Sequence, residues 1–265
     1  MRQKLGQHFL IREGVLNRIA AAVCPEPRDL VIEIGPGRGA LTRKLLERAA
    51  RVVAIEVDGY LADRLRREYA AEPRLEVVEA DVLETDLAQW GPAPIVGNLP
   101  YYITSPILER ALEVCPPRAV FLIQKEVAER LVAHPGSRDY GYLTVRTEFF
   151  AVARRLFDVK PAAFHPPPKV DSAVVLLCPH AAPEGVADRE AFLQFVARCF
   201  SHKRKTLRNN LADFYGKDAV DAWPEAGLRA EQVELAKFVE MFVRLGDVRF
   251  RPGTASVNER PERGK

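Results

Sequence analysis

The chain has 265 residues, of which 48% are hydrophobic and 28% charged, and its net charge is +3 at pH 7. This length accommodates one α/β domain and a small second domain, while the slight positive charge is compatible with a nucleic-acid partner without indicating one. The sequence shows no N-terminal apolar leader and no apolar run of about 18 residues. It therefore predicts neither secretion nor a membrane span.

The four cysteines are scattered along the chain, at Cys24, Cys115, Cys178 and Cys199. Their spacing matches none of the patterns that hold a metal ion, so the sequence predicts no metal site. Free thiols, buried and kept reduced, are the expected state. We therefore expect a cytoplasmic protein.

The first half of the chain has the pattern of an α/β fold. Residues 1 to about 26 are predicted to form an N-terminal arm and a helix. Apolar runs typical of buried strands then alternate with helical patterns from 30 to 131, which argues for β-α-β units and a mostly parallel sheet with helices on both faces. The apolar face of the first helix is predicted to comprise Val15, Ile19, Ala22 and Val23.

The second half is predicted to close the sheet and then to become helical. A helix over 141–150 is followed by two antiparallel strands over 152–159 and 172–177, and an Ala- and Pro-rich segment comes next. The predicted organisation is an α/β domain with its N-terminal arm over 1–180, a linker over 181–188, a small helical domain over 189–250 and a disordered tail over 251–265.

Three successive strands end in residues suited to a nucleoside. The first is followed by the loop Gly35-Pro36-Gly37-Arg38-Gly39, whose glycines let the backbone approach a ligand closely. The second ends in Glu56, about 20 residues further on, where a carboxylate can accept hydrogen bonds from ribose hydroxyls. Asp81 follows the third strand and is placed to accept a bond from an adenine amine. Taken singly, either carboxylate is equally well explained as a helix N-cap.

Asn98-Leu99-Pro100-Tyr101 follows the next apolar run and ends a predicted strand. Asn98 offers a side-chain carbonyl as acceptor, Pro100 removes a backbone donor and fixes φ, and Tyr101 supplies an aromatic face. An isolated match of this kind is often only a turn. Next to a nucleoside site, this motif predicts a binding site for a planar base that carries an exocyclic amine.

At this point the sequence resembles a known family, the S-adenosylmethionine-dependent rRNA adenine N6-dimethyltransferases, and within it the small-subunit (KsgA/Dim1) group. The resemblance covers nearly the whole chain. It implies a Rossmann-like methyltransferase domain with a small C-terminal helical domain, and dimethylation of two adjacent adenosines near the 3′ end of small-subunit rRNA. Besides the motifs above, the similar segments are Leu5–Leu10, Gln124–Leu131, Phe164–Ser172 and Phe200–Leu211.

The resemblance also implies roles for single residues. It places the target base between Tyr101 and Phe164, with Asn98 and the Leu99 carbonyl as acceptors for the N6 hydrogens. S-adenosylmethionine is the implied methyl donor, with no metal. His8 stands where the family often has Asn, and an imidazole does not offer the hydrogen bonds of an amide. The implied donor contacts are His8, Leu10, Gly35, Gly37, Glu56, Asp81, Val82 and Asn98.

A basic cluster near the C-terminus is the implied rRNA contact. If it lies on a helix, its side chains can face phosphates, although a bare run of charge is more often a solvated helix face. Lys203 stands where the family usually has a second arginine, so one planar hydrogen-bonding fork is lost. The cluster comprises Lys203, Arg204, Lys205 and Arg208, with Arg198 nearby.

Other functions share parts of this pattern. A large-subunit rRNA adenine methyltransferase of the macrolide-resistance type has the same donor and base motifs, but the match over 124–131 and 200–211 favours the small-subunit enzyme. A non-catalytic ribosome-assembly factor would not need an intact base motif. DNA adenine and glutamine methyltransferases usually carry Asp/Asn-Pro-Pro-Tyr instead. We expect a monomer that acts on small-subunit rRNA or on the assembling subunit, with no membrane partner.

Overall fold

The structure is a computed structural model that describes residues 8–246. The described residues form two compact units, one over 8–134 and 143–182 and the other over 135–142 and 183–246. The sequence did not indicate that 135–142, which lies within the predicted first domain, groups with the C-terminal unit. The predicted disordered tail and the first three residues of the Leu5–Leu10 motif lie outside the described residues.

The first unit is built on a seven-stranded sheet with a separate two-stranded ribbon. The strands are β1 (Phe9–Leu10), β2 (Arg28–Ile34), β3 (Ala49–Glu56), β4 (Leu75–Glu79), β5 (Ile95–Asn98), β6 (Ala119–Gln124), β7 (Ala151–Val159), β8 (Phe164–His165) and β9 (Ser172–Pro179). The order in the sheet is β4-β3-β2-β5-β6-β9-β7, and β1 pairs with β8. Strands β2 to β6 run parallel, and β7 and β9 are antiparallel. This confirms the predicted sheet and its antiparallel closing strands.

The helices associated with this sheet are α1 (Glu13–Val23), α2 (Ala40–Leu46), α3 (Gly59–Glu68), α4 (Thr104–Glu113), α5 (Lys125–Leu131) and α6 (Tyr142–Phe150). The buried face of α1 comprises Leu16, Ile19, Ala20 and Val23. Prediction and structure differ at two sites, where Leu16 and Ala20 are buried instead of Val15 and Ala22, because the stripe that meets the sheet follows the spacing i, i+3, i+4, i+7 from Leu16.

Both faces of the sheet are covered, so its strands read as continuous apolar runs. Side chains alternate along β2, with Val31 in one apolar cluster and Ile32 in the other. The cluster with Val31 includes Leu16 of α1, whereas the cluster with Ile32 includes Ile107 of α4. The sheet is therefore sandwiched between helices, and the carboxyl ends of its parallel strands share one edge.

The second unit is helical, with α7 (Arg189–Cys199), α8 (Leu207–Tyr215), α9 (Lys217–Asp221) and α10 (Leu235–Gly246). Its core contains Phe192, Phe195 and Phe238. Tyr140, from the inserted segment, is buried in this unit and donates a hydrogen bond to the carbonyl of Val233 at 2.9 Å. This bond gives the physical reason why 135–142 groups here.

The expectation of buried thiols is only partly correct. All four cysteines are free, but Cys115 is exposed and Cys178 is partly exposed, whereas Cys24 and Cys199 are buried. Cys115 lies directly after the end of α4, outside the sheet core. Among residues 8–246, no helix is long and apolar enough to cross a bilayer.

Candidate active site

The loop between β2 and α2, residues 35–39, packs closely against side chains from other parts of the chain. Gly35, Gly37 and Gly39 have φ values of +65°, +57° and +77°, a region that L-residues with side chains rarely adopt. A Cβ on Gly37 would lie 3.0 Å from a ring carbon of Phe9, and one on Gly39 would lie 2.7 Å from Leu65 Cδ2. The glycine loop therefore lies at the strand end where the sequence predicts it, and it lines a cavity at the carboxyl edge of the sheet.

Glu56, at the end of β3, ties this loop to the neighbouring strand. Its Oε2 accepts the backbone N–H of Gly37 at 3.0 Å, and its Oε1 accepts that of Asp58 at 3.0 Å. The side chain is buried, and burial raises the pKa of its carboxyl, opposed by these two hydrogen bonds. Glu56 thus positions the loop and also lines the cavity.

Glu33 is a second buried carboxyl that the sequence analysis did not select. It lies in β2 and is 1% exposed, and its Oε2 accepts a hydrogen bond from the hydroxyl of Thr42 at 2.6 Å. Burial raises the pKa of Glu33 to about 8, with a smaller contribution from the nearby Glu56 carboxylate. The available signal was a carboxylate inside the apolar run Leu30–Ile34, because such a group is costly to bury without a purpose.

Asp81 and Val82 follow β4 and complete this side of the cavity. Asp81 is exposed, and its Oδ1 accepts the backbone N–H of Leu83 at 2.9 Å. Its second carboxylate oxygen has no hydrogen-bond partner among the described residues. Val82 is buried and offers an apolar surface.

The N-terminal arm crosses the site and holds Asn98. Nδ2 of Asn98 donates to the backbone carbonyl of His8 at 2.9 Å, and the His8 ring bonds the carbonyl of Pro166 through Nδ1 at 2.8 Å. Leu10, two residues further along the arm, also lines the cavity. The arm therefore engages the amide nitrogen of Asn98, and Oδ1 accepts no hydrogen bond within residues 8–246.

Close packing fixes the base motif at the end of β5. A Cβ on Gly97 would lie 2.7 Å from the carbonyl oxygen of Ile34 and 2.9 Å from Leu99 Cδ2. The N–H of Leu99 donates to the carbonyl of Leu122 at 3.0 Å, while its own carbonyl oxygen accepts no bond from the described part of the chain. Two acceptors, Asn98 Oδ1 and Leu99 O, thus remain available next to the glycine loop.

The aromatic residues differ from the prediction in one respect. Tyr101 lines the cavity, and its hydroxyl shares a 2.6 Å hydrogen bond with Ser172. Phe164 is only 3% exposed, packs in an apolar cluster with Leu10, and is not among the residues that line the cavity. The structure therefore does not bring Phe164 to the site as a second stacking face, because burying its ring against the arm is the more favourable packing. Tyr102, which the sequence analysis did not select, lines the cavity and is 61% exposed.

The cavity itself has a volume of about 170 Å³. Within residues 8–246, no group of three or more His, Cys, Asp or Glu side chains is arranged to hold a metal ion. The predicted donor contacts all line the cavity, namely His8, Leu10, Gly35, Gly37, Glu56, Asp81, Val82 and Asn98.

In the second unit, the basic cluster lies partly in a loop rather than on one helix. Lys203, Arg204 and Lys205 are exposed in the turn between α7 and α8. The turn is shaped by Asn210, whose Nδ2 donates to the carbonyl of Cys199 at 2.7 Å where α7 ends. The sequence analysis considered a helix for this cluster. That interpretation is wrong for residues 203–205, which lie in the turn.

The basic side chains of this cluster differ in their hydrogen bonds and ion pairs. Lys203 donates to the carbonyl of Arg138 at 3.1 Å, and Arg208 on α8 forms an ion pair with Asp221. Arg204 and Lys205 have no side-chain partner among the residues that the structure describes. They are the cations best placed to meet a polyanion.

The fold and the site define a Rossmann-like methyltransferase that depends on S-adenosylmethionine. The defining features are a mostly parallel sheet, a glycine loop, acidic strand ends and an Asn-Leu-Pro-Tyr turn. Comparison with known proteins narrows this class. The family model described as ribosomal RNA adenine dimethylase matches residues 1–245. The chain belongs to this family.

The similar curated proteins and solved structures agree with this family assignment. The chain is 46% identical over 246 residues to the ribosomal RNA small subunit methyltransferase A of Bordetella bronchiseptica, covering 90% of this chain and 91% of that protein. A dimethyladenosine transferase from Plasmodium falciparum is structurally similar, with a TM-score of 0.79 and 27% identity, over 91% of this chain and 98% of that one. The 23S rRNA methyltransferase ErmE gives a TM-score of 0.66 and 32% identity, over 90% and 99%.

Proposed function

We propose that this enzyme transfers methyl groups from S-adenosylmethionine to N6 of two adjacent adenosines near the 3′ end of small-subunit rRNA. The product is N6,N6-dimethyladenosine, formed during biogenesis of the small subunit. One observation carries the proposal: the arm engages the nitrogen end of the Asn98 amide, which leaves two acceptors at the cavity. Such a pair suits an exocyclic amine with two hydrogens.

The residues of the cavity fit the methyl donor. The glycine loop leaves backbone rather than side chains against the ligand, and the Glu56 and Asp81 carboxylates suit ribose hydroxyls and an adenine amine. Val82 and Leu10 offer apolar surface. When bound, the donor supplies an activated sulfonium methyl, so the chemistry asks little of the protein beyond positioning.

The difficult partner is the adenine amine, because its lone pair is delocalised into the ring. Hydrogen bonds to Asn98 Oδ1 and Leu99 O favour a more tetrahedral nitrogen and direct its lone pair away from the ring plane. Both acceptors also stabilise the positive charge that develops on N6. As the new N–C bond forms, the methyl–sulfur bond breaks, and N6 then loses a proton that has become acidic.

The target base leaves its stack to reach these acceptors, and an aromatic face offsets that cost. Tyr101 offers such a face, and its hydrogen bond to Ser172 limits rotation of the ring. Tyr102 is the exposed aromatic residue at the cavity and suits contact with a neighbouring nucleotide.

The second unit supplies the RNA contact in this proposal. Arg204 and Lys205 contribute charge that does not depend on base sequence. A ribosomal substrate places the reaction in the cytoplasm. We continue to expect a monomer.

The large-subunit, resistance-type activity is the second candidate, since ErmE is 32% identical to this chain. The curated small-subunit relative is more similar in sequence, and the dimethyladenosine transferase has the higher TM-score, 0.79 against 0.66. The first comparison supports the small-subunit assignment, and the second supports dimethylation of adenosine.

Tritium transfer from labelled S-adenosylmethionine tests the proposal. The substrates are small subunits and large-subunit rRNA that lack the modification, and the product is digested to nucleosides. We expect dimethyladenosine from small subunits only. Label confined to large-subunit rRNA would move the assignment to the resistance type, and no label on either would favour an assembly factor.

A further inference from the structure

Arg38 is a cation on the glycine loop whose role the family motifs leave unassigned. It lies between Gly37 and Gly39, is exposed, and lines the cavity. Its guanidinium carbon lies 4.4 Å from the centroid of the Phe9 ring, a cation–π contact that restricts where the side chain can go. The arm therefore positions both Asn98, through His8, and Arg38, through Phe9.

Arg38 stands out in the charge of the cavity. Among the described residues that line it, Arg38 is the only lysine or arginine, whereas Glu33, Glu56 and Asp81 are acidic. Arg38 forms no ion pair and no hydrogen bond with any residue in 8–246, so all its N–H donors are available. Arg38 therefore pairs with none of the three acidic residues that line the cavity.

The methyl donor has charges that match this distribution. Its sulfonium and ammonium groups are cationic and suit a cavity lined by carboxyl groups, but its methionine part also ends in a carboxylate. A carboxylate in a cavity that is also lined by the carboxylates of Glu56 and Asp81 is repelled unless a cation compensates. The planar fork of arginine suits two parallel hydrogen bonds to such a group.

We propose that Arg38 binds the carboxylate of the methionine part of S-adenosylmethionine, and so selects donors that carry this group. The inference rests on the proposed function, because it takes S-adenosylmethionine as the ligand. It goes beyond that function by assigning the recognition of one ligand group to one residue of the loop.

The test compares two ligands on two variants by isothermal titration calorimetry. S-adenosylmethionine and decarboxylated S-adenosylmethionine differ in the carboxylate alone. Arg38→Leu should weaken binding of S-adenosylmethionine about tenfold, as expected for a charged hydrogen-bonded pair that solvent partly screens, and should leave binding of the decarboxylated ligand within about twofold. Arg67→Leu, an exposed arginine on α3 that does not line the cavity, is the matched control and should leave both affinities unchanged.

A leucine at this position could change the loop conformation, so a variant with a polar side chain serves as a second control. Arg38→Gln should show the same dependence on the ligand, and Arg38→Lys should fall between it and the wild type. Equal loss for both ligands, or no loss for S-adenosylmethionine, would overturn the inference. So would an unchanged donor affinity with a raised KM for RNA, which would assign Arg38 to a phosphate. A wild-type protein that binds neither ligand would overturn the proposed function itself, and this inference with it.

Discussion

Glu33→Gln should make the protein more stable, by an amount that grows as the pH rises. In the folded protein the pKa of Glu33 is raised to about 8, because the carboxyl is fully buried, against an ordinary value of 4.5. Between these two pH values the folded state holds a proton that the unfolded state releases, so stability falls as the pH rises and levels off above about 8. Each pH unit in this window costs about 1.4 kcal/mol, so the whole window costs on the order of 5 kcal/mol.

Glutamine keeps the shape and leaves an acceptor for the hydroxyl of Thr42, but it does not titrate. The free energy of unfolding, measured by urea denaturation from pH 5 to pH 9, should therefore fall less steeply in the variant than in the wild type. Glu84→Gln removes an exposed carboxylate and serves as the control. A difference between Glu33→Gln and the wild type that stays constant across this range would refute the reasoning.

Three further predictions concern the base motif and the basic loop. Asn98→Ala should abolish methyl transfer and leave the affinity for S-adenosylmethionine within a few-fold by calorimetry, and turnover at the wild-type rate would disprove the positioning of N6. Gly97→Ala should lower stability by about 1–3 kcal/mol, because its Cβ would lie 2.7 Å from a backbone oxygen; an unchanged melting temperature would contradict this. Neutralising Arg204 and Lys205 together should weaken RNA binding and flatten its dependence on salt, whereas Lys203→Gln, whose ammonium already bonds a carbonyl, should have the smaller effect. Equal slopes for the double variant and the wild type would show that the loop does not touch RNA.

The N-terminal arm connects several parts of the site. Its backbone accepts from Asn98, its Phe9 ring fills the space that Gly37 leaves, and the same ring contacts Arg38. Because β1 pairs with β8, the start of the family-like segment Phe164–Ser172 supports the arm. A change in the arm should therefore affect the base acceptor and the glycine loop together.

The sequence by itself determined the sheet, because buried parallel strands are continuous apolar runs and the glycines, acidic residues and Asn-Leu-Pro-Tyr turn follow their ends. The predicted helix over 141–150 and the predicted strand over 152–159 agree with α6 and β7 to within one residue at each end. Only the tertiary structure decided which side chains meet. It buried Phe164, exposed Tyr102 and Cys115, and placed 203–205 in a turn. It also set Arg38 against Phe9 and buried Glu33 beside Thr42. These outcomes depend on contacts between residues far apart in the chain, which local spacing does not fix.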